Sequence, residues 1–122
     1  MKKSIFLFSF LLASCTAFCQ APLTGKNITG RELLYSFTGG SRLITIHSDS
    51  ALSWKDGNSS KTGTEKTVTV HVDEHTLITS WYNEEKTFVT MYSDLEKMKF
   101  VFMVCWPDGK YYPVEGVIRL KD

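Results

Sequence analysis

Aromatic side chains are the residues of this sequence best suited to bind a small molecule. They make up 13% of the chain, and many recur at alternate positions of extended segments. Ligand pockets are lined mainly by apolar and aromatic groups, and a few polar groups fix the orientation of the ligand. The side chains that we expect to line a pocket are Tyr35, Trp54, Trp81, Phe88, Tyr92 and Phe102.

The same residues could instead fill a solid hydrophobic core, as they do in many small barrels. Two phenols favour the pocket. If Tyr35 and Tyr92 are buried, each hydroxyl needs a hydrogen-bond partner, and a ligand or a water molecule can supply one.

Histidines and paired carboxylates give weaker signals. His71 and His75 share the phase of one strand, as metal ligands would, but the intervening pair Asp73-Glu74 predicts a turn that breaks this phase. Glu84-Glu85 also lies in a predicted turn, where carboxylates do not converge as an acid–base pair must. The sequence has no Gly-rich phosphate loop, nucleophile elbow or cysteine pair. We therefore predict no metal site and no cofactor.

Short strand-like segments must position the aromatic residues. Turn residues separate these segments about every ten positions, and no helical stretch follows residue 30. The predicted strands are residues 32–37, 42–47, 51–55, 64–72, 75–82, 86–93, 98–106 and 111–120.

The connections between these segments are all short, which makes consecutive strands antiparallel neighbours. An up-and-down meander of about eight strands follows, and its closure into a barrel would remove two exposed sheet edges. We therefore predict an all-β protein that forms a small antiparallel up-and-down barrel. In this barrel residues 33–37 would pair with residues 117–120, and Gly116 would mark a bulge or a bend. A two-sheet sandwich is the alternative.

Residues 98–106 are unusual because both faces of this predicted strand are apolar. Phe100 and Phe102 belong to one face, and Val101, Met103 and Cys105 belong to the other. A barrel wall normally alternates apolar and polar residues. We expect the segment before residue 30 to cover the outer face, and a second subunit is the alternative.

The N-terminus predicts export. Lys2 and Lys3 precede an apolar run and small residues, in the order and length of a signal peptide over residues 1–19. A bacterial lipobox ending at Cys15 is the alternative, and lipidation there would attach the protein to a membrane. Residues 20–30 then form an N-terminal arm, and residues 31–122 form the barrel domain. The expected location is the periplasm or the exterior of a bacterial cell.

Charge and cysteine content exclude other classes of protein. Loss of Lys2 and Lys3 with a signal peptide leaves acids and bases nearly balanced, so nucleic acid is not an expected partner. Cys105 would be the single remaining thiol, which cannot form an internal disulfide.

A family resemblance covers residues 25–120. The residues that carry it are Gly30, Gly39-Gly40, Ser53-Trp54, Ser80-Trp81, Val89-Thr90, Asp94, Pro107-Asp108-Gly109 and Gly116. In this order they resemble the MoaF-like domain family, although Asn83 stands where the family usually has a carboxylate. The resemblance implies a lipocalin-like barrel of the calycin type and says little about activity. Phenolic acid decarboxylases have a similar barrel, with interior tyrosines, an arginine and a glutamate.

These observations predict an exported barrel that binds a small apolar or aromatic molecule. One alternative is a small enzyme of the phenolic acid decarboxylase type, in which Tyr35 or Tyr92 would act as the acid. The other is an interaction module, with a homodimer formed through the apolar face near Val101 and Met103.

Overall fold

Nine antiparallel strands form a single sheet in the computed structural model, which describes residues 22–121. The strands are β1 (Glu32–Phe37), β2 (Gly40–Ser48), β3 (Ala51–Asp56), β4 (Thr62–Lys66), β5 (Val68–His71), β6 (Thr76–Tyr82), β7 (Phe88–Asp94), β8 (Lys99–Cys105) and β9 (Tyr111–Leu120). The described residues contain no helix that is long and apolar enough to cross a membrane. The sheet curls into a nearly closed barrel, so the fold class predicted from the sequence is confirmed and the sandwich is not adopted.

The first and last strands close the barrel. Leu33 pairs with Leu120 and Phe37 pairs with Gly116, which confirms the predicted closure. Gly116 does not mark a bulge, because the β8–β9 register runs through it without a shift. It is required by close packing instead: a Cβ at this position would lie 1.9 Å from the carbonyl oxygen of Ser36.

One predicted strand is divided in the structure, which raises the strand count from eight to nine. Residues 64–72 were expected to be continuous, but the chain bends at Thr67 and passes from β4, which pairs with β3, to β5, which pairs with β6. The backbone N–H of Thr67 donates to the carbonyl of Ser50, and that of Thr69 donates to the carbonyl of Asp49. The bend at Thr67 therefore connects β4 and β5, the two end strands of the sheet, by continuous backbone.

The N-terminal arm caps one end of the barrel. Ile28 is fully buried, the N–H of Gly30 donates to the carbonyl of Ile46, and the N–H of Gly25 donates to the carbonyl of Glu74. These contacts hold residues 22–30 against the β2–β3 and β5–β6 turns. The expectation that the arm covers the outer face of β8 is wrong for these residues, because Met103 remains 40% exposed.

Beneath the arm, the barrel interior is packed with side chains. Tyr35 stacks on Phe102 with ring centroids 5.8 Å apart and tilts against Phe100 at 5.0 Å. The other residues of the buried apolar core are Ile28, Leu33, Ile44, Ile46, Leu52, Leu77, Trp81, Met91, Leu95 and Ile118.

Candidate functional site

The two ends of the barrel differ in how far their inward-facing side chains are buried. At the arm end, Leu33, Leu52 and Leu77 are at most 1% exposed. At the opposite end, several inward-facing residues are only half-buried, so this end is more open to solvent. We call this region the mouth, and its residues are Phe37, Arg42, Trp54, Val89, Val104 and Val114, with Trp81 and Phe102 at its floor.

Register places Arg42 inside the barrel. Arg42 pairs with Tyr35, which is fully buried, and directly opposite residues of an antiparallel pair share a face of the sheet. Ile44 and Ile46 continue the same inward phase, at 2% and 4% exposure. The positively charged guanidinium of Arg42 therefore faces the mouth from β2.

The guanidinium of Arg42 has an aromatic neighbour and unused donors. Its carbon lies 4.3 Å from the centroid of the Trp54 ring, which is within the range of a cation–π contact. Residues 22–121 offer it no hydrogen bond and no ion pair within 4 Å. The carboxylate of Asp56 is the cross-strand partner, but it accepts hydrogen bonds from the N–H of Asn58 and the hydroxyl of Ser59. These bonds, first the one from Asn58, hold the pKa of Asp56 below its usual range, with a smaller contribution from Arg42.

Two further contacts fix the orientation of Trp54. Its indole Nε1–H donates to a carboxylate oxygen of Glu65 over 2.9 Å, and Glu65 faces inward because it pairs with buried Leu52. The ring also packs closely on Gly63, where a Cβ would lie 2.7 Å from ring atoms. Trp54 is therefore held in place before any ligand arrives, and it positions the guanidinium of Arg42.

Tyr35 lies below the mouth and is sealed from it. Its side chain is fully buried, and its hydroxyl shares a 2.9 Å hydrogen bond with the hydroxyl of Ser93. Burial raises the pKa of the Tyr35 phenol to about 12, and the bond with Ser93 offsets part of this shift. The hydroxyl that the sequence suggested for a ligand is thus satisfied within the core.

Four of the six residues predicted to line a pocket face the interior: Tyr35, Trp54, Trp81 and Phe102. The inward orientation predicted for Tyr92 and Phe88 is wrong. Tyr92 is 41% exposed on the outer face, and Phe88 has the same phase and packs on Tyr82 with ring centroids 4.8 Å apart. Met91 and Ser93 take the inward positions of β7, and both are fully buried.

Sequence reasoning missed Arg42 and Glu65 as site residues. The signal for Arg42 was present, because its alternation with Ile44 and Ile46 makes it face inward if they do. Glu65 gave no comparable signal, because β4 has few apolar residues from which to assign its phase.

A buried hydroxyl without a partner lies at the same end of the barrel. Thr87 precedes β7 by one residue and continues the inward phase of Val89 and Met91. Its side chain is 2% exposed, and its Oγ1 is the buried side-chain polar atom without a hydrogen bond among the described residues. Such an atom is costly unless water or a ligand satisfies it.

Two surface depressions lie outside the mouth. One, of about 740 Å³, borders the arm and includes His71, which donates to Asp49 over 2.8 Å. The other, of about 250 Å³, lies on the outer side of β1–β4. Within residues 22–121, no group of three or more His, Cys, Asp or Glu side chains is arranged to hold a metal ion. We place the candidate site at the mouth because unused donors and half-buried apolar walls meet there.

The fold and the mouth define a class of small antiparallel β-barrels that are capped at one end and open at the other. Within this class, the chain belongs to the MoaF-like family, whose model matches residues 29–119. The resemblance inferred from its residues is thereby confirmed.

A solved structure shares the fold. A protein from Burkholderia vietnamiensis, crystallised under a provisional β-lactamase name, superposes with a TM-score of 0.68 at 15% identity, over 76% of this chain and 94% of its own. At this identity the likeness concerns the fold alone. No curated protein matches the chain.

Proposed function

We propose that this protein binds a small aromatic or apolar molecule in the mouth of the barrel, and that the ligand carries an acidic group held by Arg42. The observation that carries the proposal is the guanidinium of Arg42, which faces inward, lies over Trp54 and has unused hydrogen-bond donors. Guanidinium groups match the planar geometry of carboxylates and hold them by paired hydrogen bonds.

The walls of the mouth support the apolar part of the ligand. Phe37, Val104 and Val114 are half-buried and surround a floor formed by Trp81 and Phe102, each 9% exposed. A ring inserted among these groups would remove apolar surface from water on both sides, which favours binding by roughly 25 cal/mol per Å².

Calorimetric titration against matched ligand pairs tests this function. Each pair consists of an aromatic carboxylate and its uncharged carboxamide, for example 2-naphthoate and 2-naphthamide. We expect the carboxylate to bind at least about ten-fold more tightly, which corresponds to about 1.4 kcal/mol. Arg42→Gln should remove this preference, whereas Lys55→Gln, which deletes a positive charge on the outer side of β3, should retain it. Failure of every ligand to bind at millimolar concentration would contradict the proposal.

A second candidate is an enzyme of the phenolic acid decarboxylase type. The observation that favours it is the presence of both Arg42 and Glu65 on the inward side, joined through Trp54. The burial of Tyr35 and the outward position of Tyr92 weigh against either tyrosine as the acid. Release of carbon dioxide from phenolic acids by the wild type, and its loss in Glu65→Gln, would favour the enzyme over a binding protein.

Export remains part of the proposed function. It rests on residues 1–19, which lie outside the described residues, as does the alternative lipid attachment at Cys15. Mass spectrometry of the mature N-terminus distinguishes the two: a chain that begins at Gln20 supports export, and a lipidated Cys15 supports an anchored protein.

A further inference from the structure

Exposed large apolar side chains are confined to strands β5–β9 and the turns between them among the described residues. Within residues 22–121, every large hydrophobic residue that is at least 40% exposed lies on or next to β5–β9. These residues are Val68, Val70, Val72, Tyr82, Tyr92, Met103, Trp106, Tyr111, Tyr112 and Val117. Monomeric proteins rarely expose contiguous apolar patches of more than a few hundred Å², and larger patches mark interaction sites.

The strand register joins these side chains into continuous rows. Val70 pairs with Ile78, Ile78 pairs with Tyr92, and Tyr92 pairs with Val101. The next row contains Thr90 and Met103, which pair directly, and the third contains Tyr82, Phe88, Cys105 and Tyr111. We call the outward-facing residues of these rows the outer apolar face: Val68, Val70, Ile78, Tyr82, Phe88, Tyr92, Val101, Met103, Cys105 and Tyr111.

We propose that the outer apolar face is the interface of a homodimer, in which two copies pack this face of the sheet against each other. Aromatic side chains can bury roughly 150–250 Å² each, and Tyr82, Tyr92 and Tyr111 are 68%, 41% and 71% exposed. These three tyrosines therefore supply several hundred of the ~800 Å² that one partner contributes to a stable interface, and Val68, Val70 and Met103 add to it.

The composition of the face suits a second copy rather than a charged partner. A two-fold interface brings the same patch of both copies together, and an uncharged apolar patch is complementary to itself. The three rows carry no charged side chain from β5 to β8. Glu115 lies opposite Val101 on β9, and Asp94 and Lys99 pair in the adjoining row at the edge of the face. Tyr82, Tyr92 and Tyr111 are also of the residue type that is enriched in interface cores.

Face-to-face packing is favoured over pairing of strand edges. The end strands of the sheet, β4 and β5, have only five and four residues, which limits the hydrogen bonds that another chain could make with them. Two antiparallel sheets instead pack about 10 Å apart, with their side chains interdigitated.

Sedimentation velocity of the protein expressed from the full chain tests the interface, with Met103→Glu and Val70→Glu as variants. Thr64→Glu is the matched control, because it places the same charge on an exposed strand position of the opposite side. We expect the wild type and the control to sediment as dimers at micromolar concentration. Each variant should raise the dissociation constant at least about 100-fold, because every dimer would bury the introduced charge twice.

Circular dichroism distinguishes dissociation from misfolding, and the variants should keep the β-sheet spectrum of the wild type. A wild type that remains monomeric at protein concentrations up to roughly 100 µM would overturn the proposal. So would a dimer that persists in both variants. Cosedimentation of a monomer with phosphatidylglycerol vesicles would identify a membrane as the occupant and would overturn it as well.

Discussion

Arg42 lies over the indole of Trp54, with 4.3 Å between the guanidinium carbon and the ring centroid. The two residues come from neighbouring strands, and the β2–β3 register brings them together. Trp54 is fixed by Glu65 and Gly63, so the guanidinium is placed on a rigid support. This arrangement reduces the conformational entropy that Arg42 would lose on binding a ligand.

Replacement of Trp54 should weaken binding of an aromatic carboxylate without removing the charge that holds it. A cation–π contact contributes about 0.5–2 kcal/mol, so we expect Trp54→Leu to reduce the affinity by roughly 2- to 30-fold. Tyr111→Leu is the control, because Tyr111 is 71% exposed and pairs with Cys105 on the outer side of the sheet. Calorimetry with 2-naphthoate checks both variants, and equal losses in the two would contradict a positioning role for Trp54.

Removal of the Tyr35 hydroxyl should destabilise the core by leaving a buried partner unsatisfied. Ser93 is fully buried and its hydroxyl bonds to Tyr35, so Tyr35→Phe should lower the free energy of unfolding by about 1–3 kcal/mol. Addition of Ser93→Ala should recover part of this loss, because both polar partners are then absent. Urea unfolding measures these changes in unfolding free energy, provided that the m-value is the same for all the variants. Tyr111→Phe, at a position that is 71% exposed, should have little effect.

The closure between β1 and β9 should not tolerate a side chain at Gly116. A Cβ there would meet the carbonyl oxygen of Ser36 at 1.9 Å and a ring atom of Phe100 at 3.0 Å, so the backbones would have to separate. We expect Gly116→Ala to cost at least about 3 kcal/mol of unfolding free energy. Arg119→Ala, at an exposed position of the same strand, should cost far less. Thermal unfolding of the two variants provides the comparison. If Gly116→Ala unfolded at the same temperature as the wild type, the strands would have room to adjust and this prediction would be wrong.

The attachment of the arm should depend on pH through His75. The imidazole Nδ1–H donates to the carbonyl of Leu23 over 2.7 Å, which is the main reason that the pKa of His75 is raised. Burial opposes the shift, while the nearby carboxylates of Glu74, Glu96 and Asp73 add to it. The protonated form is thus favoured in the folded state.

A raised pKa stabilises the folded protein below the ordinary histidine value of 6.5, and this contribution disappears as the pH rises through the folded-state pKa. The wild type should therefore exceed His75→Gln in melting temperature most clearly near pH 5.5. The difference should shrink towards pH 8.5, as melting curves across this range would show. His47 and His71 are present in both proteins, so the comparison isolates His75. A difference that does not change with pH would contradict this role for His75.

Individual strands show how far the sequence could predict this structure. In β8, Phe100 and Phe102 were correctly placed inside, because aromatic residues at alternate positions gave a clear inward phase. In β7, both phases are apolar enough to be buried, and its aromatic residues predicted the wrong inward phase. The structure buries Met91 and Ser93 instead, since Ser93 supplies the partner for Tyr35 and Phe88 packs with Tyr82 outside.

The candidate site was predictable only in part, for a related reason. Trp54 and Trp81 were assigned to the interior from their own strands. The relation between Arg42, Trp54 and Glu65 joins residues from three strands, and it depends on registers that no single segment contains. Gly63 likewise gains its role only when β3 brings the indole against it.

The sequence by itself determined the all-β class, most of the strand segments and turns, and the closure of the first strand on the last. These features follow from local alternation, turn chemistry and the cost of exposed edges, which are properties of short stretches of chain. The tertiary structure alone decided which phase of β7 faces inward, which end of the barrel the arm caps, and that Arg42 meets Trp54. Each of these depends on which side chains lie opposite one another across strands, because a partly apolar strand can bury either of its faces until its neighbours are in place.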